Sequence, residues 1–274
     1  MIGKLYVVGT PIGNLSDFSP RAREILSTVD FIAAEDTRVT TKLLNKFEIK
    51  KPLISYFEHN RRERGEIIIK RLLEGENCAI VTDAGMPCIS DPGQDLVYLC
   101  HENNISVESV PGPTAFATAL AISGMESGRF TFEGFLSMNK LSRKEHLDEL
   151  KNETRTMIFY EAPHKLKATL KDMLENFGDR EIAIVKELTK VHENVMRTSL
   201  KGATQYFDAE NPRGEYVLIL KGAEKKKEEQ PVTLEQAVIL AKDLVNKGVS
   251  VNEAAKTVAA DTGLKKSLIY KELL

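Results

Sequence analysis

Residues 83–93, DAGMPCISDPG, combine carboxylates with glycine and proline at the end of a predicted strand. The apolar run CAIVT at 78–82 predicts that strand. Asp91 and Pro92 fit the N-cap and first position of a following helix, with Gln94 three residues after the cap. Ligands in an open α/β sheet bind at the carboxyl ends of its strands. An ordinary turn needs only about two to six residues, so this longer, more polar segment favours a ligand-binding loop.

Four other loops place similar residues where predicted strands end. None of the five contains the P-loop pattern GxxxxGK followed by Ser or Thr, or the dinucleotide pattern GxGxxG. Glycine and proline at such positions bring backbone N–H and C=O groups close to a ligand. The chain is therefore predicted to bind a small polar molecule without either standard phosphate-binding loop. The four loops are GTPIGNL at 9–15, AEDTR at 34–38, VPGPTA at 110–115 and FYEAPHK at 159–165.

Strands and helices alternate over the first part of the chain, which predicts a mostly parallel sheet. After about Met125 the helices become fewer, and this predicts a second, mixed α/β domain. The predicted strands of the first part are 5–9, 31–35, 52–57, 78–82 and 106–110. Those of the second part are 130–135, 156–162, 181–188, 194–200 and 215–222.

The chain divides into an N-terminal α/β domain at 1–124, a second α/β domain at 125–222, a charged linker at 223–231 and a helical tail at 232–274. Two or three short helices fit the tail, with Gly263 suited to a helix end. Their spacing resembles a small helix-turn-helix unit, and simple packing of short helices is the alternative. Pro163 can start a helix that runs to about Phe177. Pairs that fit capping boxes are Asn60 with Glu63, Ser142 with Glu145, Thr233 with Gln236, and Ser250 with Glu253.

Composition is that of an ordinary globular protein, and it excludes several classes. The 274 residues are 42% apolar and 28% charged, and no apolar run approaches the length of a transmembrane helix. The formal net charge of −2 gives no global basic field, so any RNA contact needs local patches. Cys78, Cys88 and Cys100 form no CxxC pair. We therefore predict no zinc site, no membrane contact, and reduced thiols in a cytoplasmic protein.

Six motifs taken together resemble the tetrapyrrole-methylase superfamily of S-adenosylmethionine-dependent methyltransferases. They are GTPIGNL, AEDTR, TDAGMPCISDPG, VPGPTA, FYEAPHK and KELTKVHE, and the resemblance runs through residues 1–222. Within the superfamily they are similar to the branch that methylates the 2′ oxygen of a cytidine ribose in the decoding region of small-subunit (16S) rRNA. The helical tail is also typical of that branch. The resemblance implies a homodimer of two-domain α/β chains, with the methyl donor in the cleft between the domains.

The resemblance also implies which residues hold S-adenosylmethionine. Asp83 would accept hydrogen bonds from the donor, and the helix that begins at Thr114 and Ala115 would receive its carboxylate. Residues of the second domain would close over the adenine. Core packing remains the alternative for Leu188 and Ala162, and a turn role for Asp83. The implied donor-binding residues are Pro11, Asp83, Ala84, Gly85, Ile89, Ser90, Thr114, Ala115, Tyr160, Ala162, Leu188, Gly214 and Glu215.

Methyl transfer to a ribose hydroxyl needs an oriented oxygen and benefits from a general base. Asp36, Lys186 and Glu187 are the groups predicted to lie nearest the reaction. A structural ion pair is the alternative for Lys186 and Glu187.

Small-subunit rRNA, either free or in the assembled 30S subunit, is the partner that the resemblance implies. Basic side chains would meet its phosphates, although charged helix faces are often only solvated. The predicted substrate contacts are Arg38, His59, Arg61, Arg62, Lys265 and Lys266.

Two other functions remain possible from the sequence. One is a methyltransferase of the same superfamily that acts on a tetrapyrrole or a similar small acid. The other is a non-catalytic protein that senses a nucleotide-like ligand in the cleft. Turnover on a tetrapyrrole would indicate the first, and donor binding without turnover on any RNA would indicate the second.

Overall fold

A computed structural model describes residues 1–224 and 232–274 of the chain. Most of the predicted linker, residues 225–231, lies outside the described residues. The described chain forms two compact units, Met1–Ala223 and Glu224–Leu274. Both α/β sheets belong to the first unit, and the two units are described separately below.

The first sheet is parallel throughout, as the alternating strands and helices predict. Its strand order is β3-β2-β4-β1-β5. Apolar clusters cover both faces, as expected of a parallel sheet: Phe31 and Ile68 belong to one cluster, and Phe18 and Leu26 to the other. The strands are β1 (Lys4–Val8), β2 (Phe31–Ala34), β3 (Leu53–Ser55), β4 (Cys78–Val81) and β5 (Ser106–Val110). The helices are α1 (Pro20–Thr28), α2 (Thr37–Lys46), α3 (Arg61–Leu73), α4 (Gln94–Glu102) and α5 (Ala115–Ser123).

The second sheet is mixed, also as predicted. Its order is β6-β7-β10-β8-β9, in which β6 and β7 run parallel and the other neighbours run antiparallel. The strands are β6 (Phe130–Phe135), β7 (Thr156–Glu161), β8 (Glu181–Lys186), β9 (Asn194–Ser199) and β10 (Tyr216–Leu220). The helices are α6 (Lys140–Glu149), α7 (Pro163–Phe177) and α8 (Leu200–Ala209).

Helix α5 joins the two sheets. It follows the last strand of the first sheet, yet its Ala119 and Leu120 pack against Ile158, Val185 and Ile219 of the second sheet. Burial of these side chains fixes the position of the α5 N-terminus relative to the second sheet. The boundaries at 124 and 222 stay predictions.

The prediction that Asp91 caps α4 is wrong. The helix begins at Gln94 and Gly93 occupies the N-cap position, with φ +137°. Cys88 and Ser90 both have positive φ, at +70° and +64°. The segment therefore keeps turning up to Gly93, and Asp91 remains part of the loop.

Two predicted capping boxes in the first unit are also wrong. Asn60 precedes α3, but its side chain turns back: it accepts from the Phe57 N–H at 2.9 Å and donates to the Ser55 carbonyl at 3.1 Å. Helix α6 begins before Ser142, because Asn139 caps it by accepting from two backbone N–H groups. At α3 the Asn60 side chain bonds to backbone groups outside the helix, and at α6 Asn139 takes the cap position ahead of Ser142.

Residues 232–274 of the second unit form three helices around a small apolar centre that includes Ala241, Val258 and Ile269. The capping box of Thr233 and Gln236 is present with both of its hydrogen bonds. Ser250 caps the next helix by accepting from the Glu253 N–H, and Gly263 ends it in a left-handed conformation at φ +72°. The helices are α9 (Leu234–Asn246), α10 (Val251–Thr262) and α11 (Lys266–Leu273).

Within residues 1–224 and 232–274, no helix is long and apolar enough to cross a membrane. The same residues contain no group of three or more His, Cys, Asp or Glu that could hold a metal ion. All three cysteines are free thiols.

Candidate active site

A cavity of about 400 Å³ lies between the loops at the carboxyl ends of the first sheet and the strands β7, β8 and β10 of the second. Its size is in the range of small-molecule sites. All but two of the predicted donor-binding residues line it; the exceptions, Pro11 and Gly214, are each next to a lining residue. The predicted residues that line the cavity are Asp83, Ala84, Gly85, Ile89, Ser90, Thr114, Ala115, Tyr160, Ala162, Leu188 and Glu215.

The sequence analysis did not predict the other half of the residues that line the cavity. Glu35 and Asp91 belong to the predicted ligand loops AEDTR and DAGMPCISDPG. Their carboxylates could therefore have been predicted to line the cavity. The apolar strand residues gave no such signal, because a cavity wall and a core have the same composition. The missed residues are Ile12, Glu35, Thr82, Met86, Asp91, Phe135, Glu161, Pro163, Val185, Tyr216 and Val217.

Close backbone packing joins the loops that border this cleft. Thr10 and Gly85 exchange backbone hydrogen bonds of 2.9 and 3.2 Å, which join the loop after β1 to the loop after β4. Gly9 lies so close to the loop after β5 that a Cβ there would be 2.6 Å from the Gly112 Cα. These loops can meet only because glycine leaves room for the opposing backbone.

Three carboxylates, those of Glu35, Asp83 and Asp91, line the first-sheet side of the cleft. Glu35 accepts from the buried Thr82 hydroxyl at 2.5 Å and from the Asp83 N–H at 3.3 Å. Asp83 in turn accepts from the Asp36 N–H at 3.2 Å. The loops after β2 and β4 are thus held to each other through their acidic side chains.

Burial and mutual repulsion raise the pKa of two of these groups. Burial raises the pKa of Asp91 to about 6, and the charges of Glu35 and Asp83 add to this effect while Thr82 partly opposes it. Burial and the Glu35 charge also raise the pKa of Asp83. Partly desolvated carboxylates that repel one another favour a cationic ligand, because it would relieve that repulsion.

The N-terminus of α5 provides a positive electrostatic potential in the same cleft as the three carboxylates. Thr114 is its N-cap residue and makes no side-chain hydrogen bond to the helix. The Phe116 N–H donates to the Tyr160 hydroxyl of β7 at 3.0 Å, which ties the helix end to the second sheet. First-turn N–H groups and the helix dipole favour an anion at this position. The cleft can therefore hold a molecule with a carboxylate at one point and a positive charge at another.

Asp36, one of the predicted catalytic groups, is engaged elsewhere and does not line the cleft. It caps α2 by accepting from the Arg38 N–H at 2.8 Å, and it forms an ion pair with the Arg38 guanidinium at 2.6 Å. These bonds lower the pKa of Asp36 to about 2. Such a carboxylate is a weak base, since general bases work best with a pKa near the reaction pH.

Glu187 organises the backbone beside the cleft. Its carboxylate accepts from the Glu215 N–H at 3.0 Å and from the Lys190 ammonium at 3.1 Å, and its own N–H donates to the Glu215 carbonyl. Burial alone would raise the pKa of Glu187, but the Glu215 N–H and the Lys190 ammonium outweigh it and hold the pKa below its ordinary value. The ion pair seen here joins Glu187 to Lys190, not to Lys186. Lys186 ends β8 and does not line the cleft.

Gly214 allows the Glu187 carboxylate to reach this segment. Its φ is +86°, and an added Cβ would lie 2.4 Å from the Glu187 Oε1. We expect Gly214→Ala to weaken donor binding about tenfold, because the Glu187 carboxylate must give way and release the Glu215 N–H beside the cleft. Overpacking and backbone strain together should destabilise the fold by about 1–3 kcal/mol. Isothermal titration calorimetry and thermal melting measure the two effects.

Gly178→Ala is the matched control for this variant. Gly178 also has a positive φ of +74°, but no atom lies within 4 Å of an added Cβ. It should show the backbone strain alone, with donor affinity unchanged. Equal donor affinities in the two variants would contradict the role given to the Glu187–Glu215 contact.

The predicted RNA contacts lie in different surroundings. His59 lines a second hollow of about 500 Å³, together with Phe57, Glu58 and Pro92. That hollow shares Glu35, Ser90 and Asp91 with the first cavity. Arg61 forms ion pairs with Glu58 at 3.2 Å and Asp95 at 3.3 Å, while Arg38 pairs with Asp36. Arg62 is exposed on α3, and Lys265 and Lys266 are exposed at the start of α11 in the second unit.

The fold and the cleft define the class of protein. Residues 4–204 match the family model of Tetrapyrrole (Corrin/Porphyrin) Methylases. A solved cobalt precorrin-4 methyltransferase superposes with a TM-score of 0.60 at 19% identity, over 80% of this chain and 94% of that one. A uroporphyrin-III C-methyltransferase from Thermus thermophilus, complexed with S-adenosyl homocysteine, gives 0.57 at 16% identity, over 80% and 97% of the two chains. These likenesses show the fold.

Closer relatives define the branch. A protein of Synechocystis sp. is 46% identical over 98% of this chain and 97% of its own. One of Bacillus subtilis is 43% identical over 98% and 93%, and one of Thermotoga maritima is 48% identical over 81% and 100%. Each is named ribosomal RNA small subunit methyltransferase I. The chain therefore belongs to the tetrapyrrole methylase family, in the branch of these relatives, and the resemblance stated from its motifs is confirmed.

Proposed function

We propose that this protein transfers a methyl group from S-adenosylmethionine to the 2′ hydroxyl of a cytidine ribose in the decoding region of small-subunit rRNA. The observation that carries the proposal is the donor cleft, with a helix N-terminus and carboxylates facing one cavity. Relatives named as rRNA methyltransferases match this chain over nearly its full length, which supports RNA as the acceptor.

The residues of the cleft fit this donor. When bound, S-adenosylmethionine supplies an electrophilic methyl group attached to a positively charged sulfur. The N–H groups at the start of α5 would bind its carboxylate. Asp83 and Glu35 would stabilise its positive charges. The apolar wall of Val185, Leu188 and Val217 would cover the adenine and exclude water from it.

The acceptor must be held by local basic groups, because the net charge of the chain is −2. Arg61, Arg62, Lys265 and Lys266 are the proposed phosphate contacts, and His59 the proposed contact to the nucleoside. Phosphate contacts of this kind make binding salt-dependent, since each one releases counterions. A homodimer in the cytoplasm is part of the same proposal, and the three free thiols are consistent with that compartment.

The test uses labelled S-adenosylmethionine with small ribosomal subunits and, separately, naked rRNA, both from cells that lack this gene. We expect one ribose-methylated cytidine, and the better acceptor identifies the natural substrate. Label in a tetrapyrrole acceptor instead would support a small-molecule methyltransferase. Donor binding in calorimetry without label in any acceptor would support a sensor, and either of these results would contradict the proposal.

A further inference from the structure

The second hollow opens directly beside the donor cleft. The two cavities share the side chains of Glu35, Ser90 and Asp91, so a group in one can reach a group in the other across that wall. On its outer side the second hollow presents Phe57, which is 37% exposed, and His59, whose ring stands edge-on to Phe57 with centroids 6.2 Å apart. Exposed aromatic rings beside a polar wall suit a nucleobase with its ribose.

We infer that the second hollow receives the acceptor nucleoside and that Asp91, in the shared wall, takes the proton from the reacting hydroxyl. The inference rests on the proposed function and adds to it a pocket for the acceptor and an identity for the base. Phe57 and His59 would hold the nucleobase, and the ribose would lie against Ser90 and Asp91.

The other carboxylates nearby are less suited to this role. Glu35 reaches both cavities, but it already accepts from the Thr82 hydroxyl and the Asp83 N–H. Asp83 lines the donor cleft and not the second hollow. Asp36 lines neither and is bound to Arg38. Asp91 is the other carboxylate in both walls: it shares the Thr82 hydroxyl with Glu35 but, unlike Glu35, it makes no bond to the Asp83 backbone.

The surroundings of Asp91 hold its carboxyl ready to exchange a proton near neutral pH. Burial, Glu35 and Asp83 raise the pKa of Asp91 to about 6, against the opposing effect of Thr82. The other titratable groups facing it are Tyr160 of β7, Cys88 of its own loop, and Glu58 and His59 after β3. Cys88 and Ser90, in the same loop as Asp91, both have positive φ. Strained backbone of this kind is common at active sites.

Methyl transfer forms one bond to the methyl carbon and breaks another. Asp91 removes the proton of the 2′ hydroxyl while the hydroxyl oxygen forms a bond to the methyl carbon. The bond from that carbon to sulfur breaks, and sulfur keeps the electron pair. The products are a methyl ether, a neutral thioether and a protonated Asp91, which returns its proton to water.

Asp91→Asn tests the assignment. Single-turnover methyl transfer to the acceptor should fall about 10²- to 10⁴-fold, the usual contribution of a general base. In the wild type the rate should rise with pH through about 6 and then level, because the base must be unprotonated; the variant should lack that rise. Calorimetry should show the donor still bound, with its affinity lowered far less than the rate of methyl transfer.

Thermal melting gives a readout that does not depend on activity. A carboxyl whose pKa is raised in the folded state makes the fold less stable as pH rises from about 4 to 6, since the folded state binds the proton more tightly than the unfolded state. Asp91→Asn should therefore melt higher than wild type at pH 7.5 and show no such gain at pH 4. A purely structural Asp91 would give the opposite change at pH 7.5.

Three control variants, Glu35→Gln, Asp208→Asn and Tyr98→Ala, accompany a test of the acceptor pocket by Phe57→Ala. Glu35→Gln should keep the pH-dependent rise, moved to lower pH because the Glu35 charge no longer raises the pKa of Asp91. Asp208→Asn, which changes an exposed carboxylate of α8 paired with Lys171, should behave as wild type. Phe57→Ala should raise the KM for RNA at least tenfold with donor affinity unchanged, while Tyr98→Ala, another exposed aromatic, should not.

Failure of the proposed function and failure of the Asp91 assignment give different results. A wild-type enzyme that labels no RNA would contradict the proposed function and the acceptor pocket with it. An active wild type whose rate and pH profile survive in Asp91→Asn would leave the proposed function standing and overturn the assignment of the base. Loss of the pH-dependent rise in Glu35→Gln alone would move the base to Glu35 and equally overturn it.

Discussion

Gly9→Ala is expected to lower donor affinity more than 100-fold and to destabilise the fold by about 2–3 kcal/mol. An added Cβ would lie 2.6 Å from the Gly112 Cα, 2.7 Å from the Gly112 nitrogen and 2.7 Å from the Met86 sulfur. Two of these three neighbours are backbone atoms, which cannot rotate away as the end of a side chain can. The loops after β1 and β5 must therefore separate, and overpacking of this kind costs about 1–3 kcal/mol or more.

The loss of donor affinity has its own cause. The loop after β5 leads into Thr114 and the N-terminus of α5, and Thr10, next to Gly9, bonds to the backbone of Gly85. Movement of the β1 loop thus displaces two walls of the cleft together. Calorimetry with S-adenosylmethionine and thermal melting are the measurements.

Gly128→Ala is the control for this variant, because an added Cβ at Gly128 meets no atom within 4 Å. It should leave melting temperature and donor affinity as in wild type. A Gly9→Ala protein that binds the donor normally would show that the close approach of these loops does not shape the donor site.

Tyr160→Ala is expected to lower donor affinity about 100-fold, and Tyr160→Phe about 5- to 10-fold. The ring of Tyr160 lines the cleft and packs edge-on against Phe132 and Phe135, with centroids 5.0 and 5.4 Å away. Its hydroxyl accepts from the Phe116 N–H at 3.0 Å and so holds the start of α5 in place. The alanine variant removes the wall and the hydrogen bond, while the phenylalanine variant removes only the hydrogen bond, worth about 0.5–1.5 kcal/mol.

The control is Tyr206→Ala on α8. Tyr206 also makes an edge contact, with Phe207 at 5.0 Å, but it is half exposed and does not line the cleft. Donor affinity should be unchanged in this variant. Equal affinities for wild type and Tyr160→Phe would show that the hydrogen bond to α5 does not position the donor site.

The strands were the most predictable part of the fold. Apolar runs such as FIAA of β2 and YVLIL of β10 are buried along their whole length, and a short continuous apolar run between turn residues is a strong strand signal. All ten predicted strands are present, with ends that differ by at most two residues. What the sequence could not show is that α5 packs on the second sheet, since that depends on contacts between distant segments.

Helix starts were less predictable where an asparagine side chain formed alternative hydrogen bonds with the backbone. Thr233 and Ser250 cap their helices as expected. Asn60 and Asn139 changed the local pattern at two other helices, because each could bond to alternative backbone groups. The start of α4 depended on positive φ at Cys88 and Ser90, which residue type does not reveal.

The lining of the cleft was predictable mainly through the resemblance of its motifs. Asp83, Gly85 and Thr114, which the resemblance implies for donor binding, line one cavity, and their contact with the donor stays a prediction. The predicted catalytic groups were less predictable. Asp36 and Glu187 are carboxylates, as a general base can be, but they form ion pairs with Arg38 and Lys190. Only the packed structure shows which carboxylates form ion pairs and which face a cavity. In this structure Asp91 faces the cavity.

The most direct test of the central claim is nucleoside mass spectrometry of small-subunit rRNA from cells with this gene, cells without it, and cells without it that carry the wild-type gene or the Gly9→Ala variant. The account predicts one 2′-O-methylcytidine in the decoding region that disappears with the gene, returns with the wild type and fails to return with Gly9→Ala. An unchanged modification pattern in the cells without the gene would contradict it.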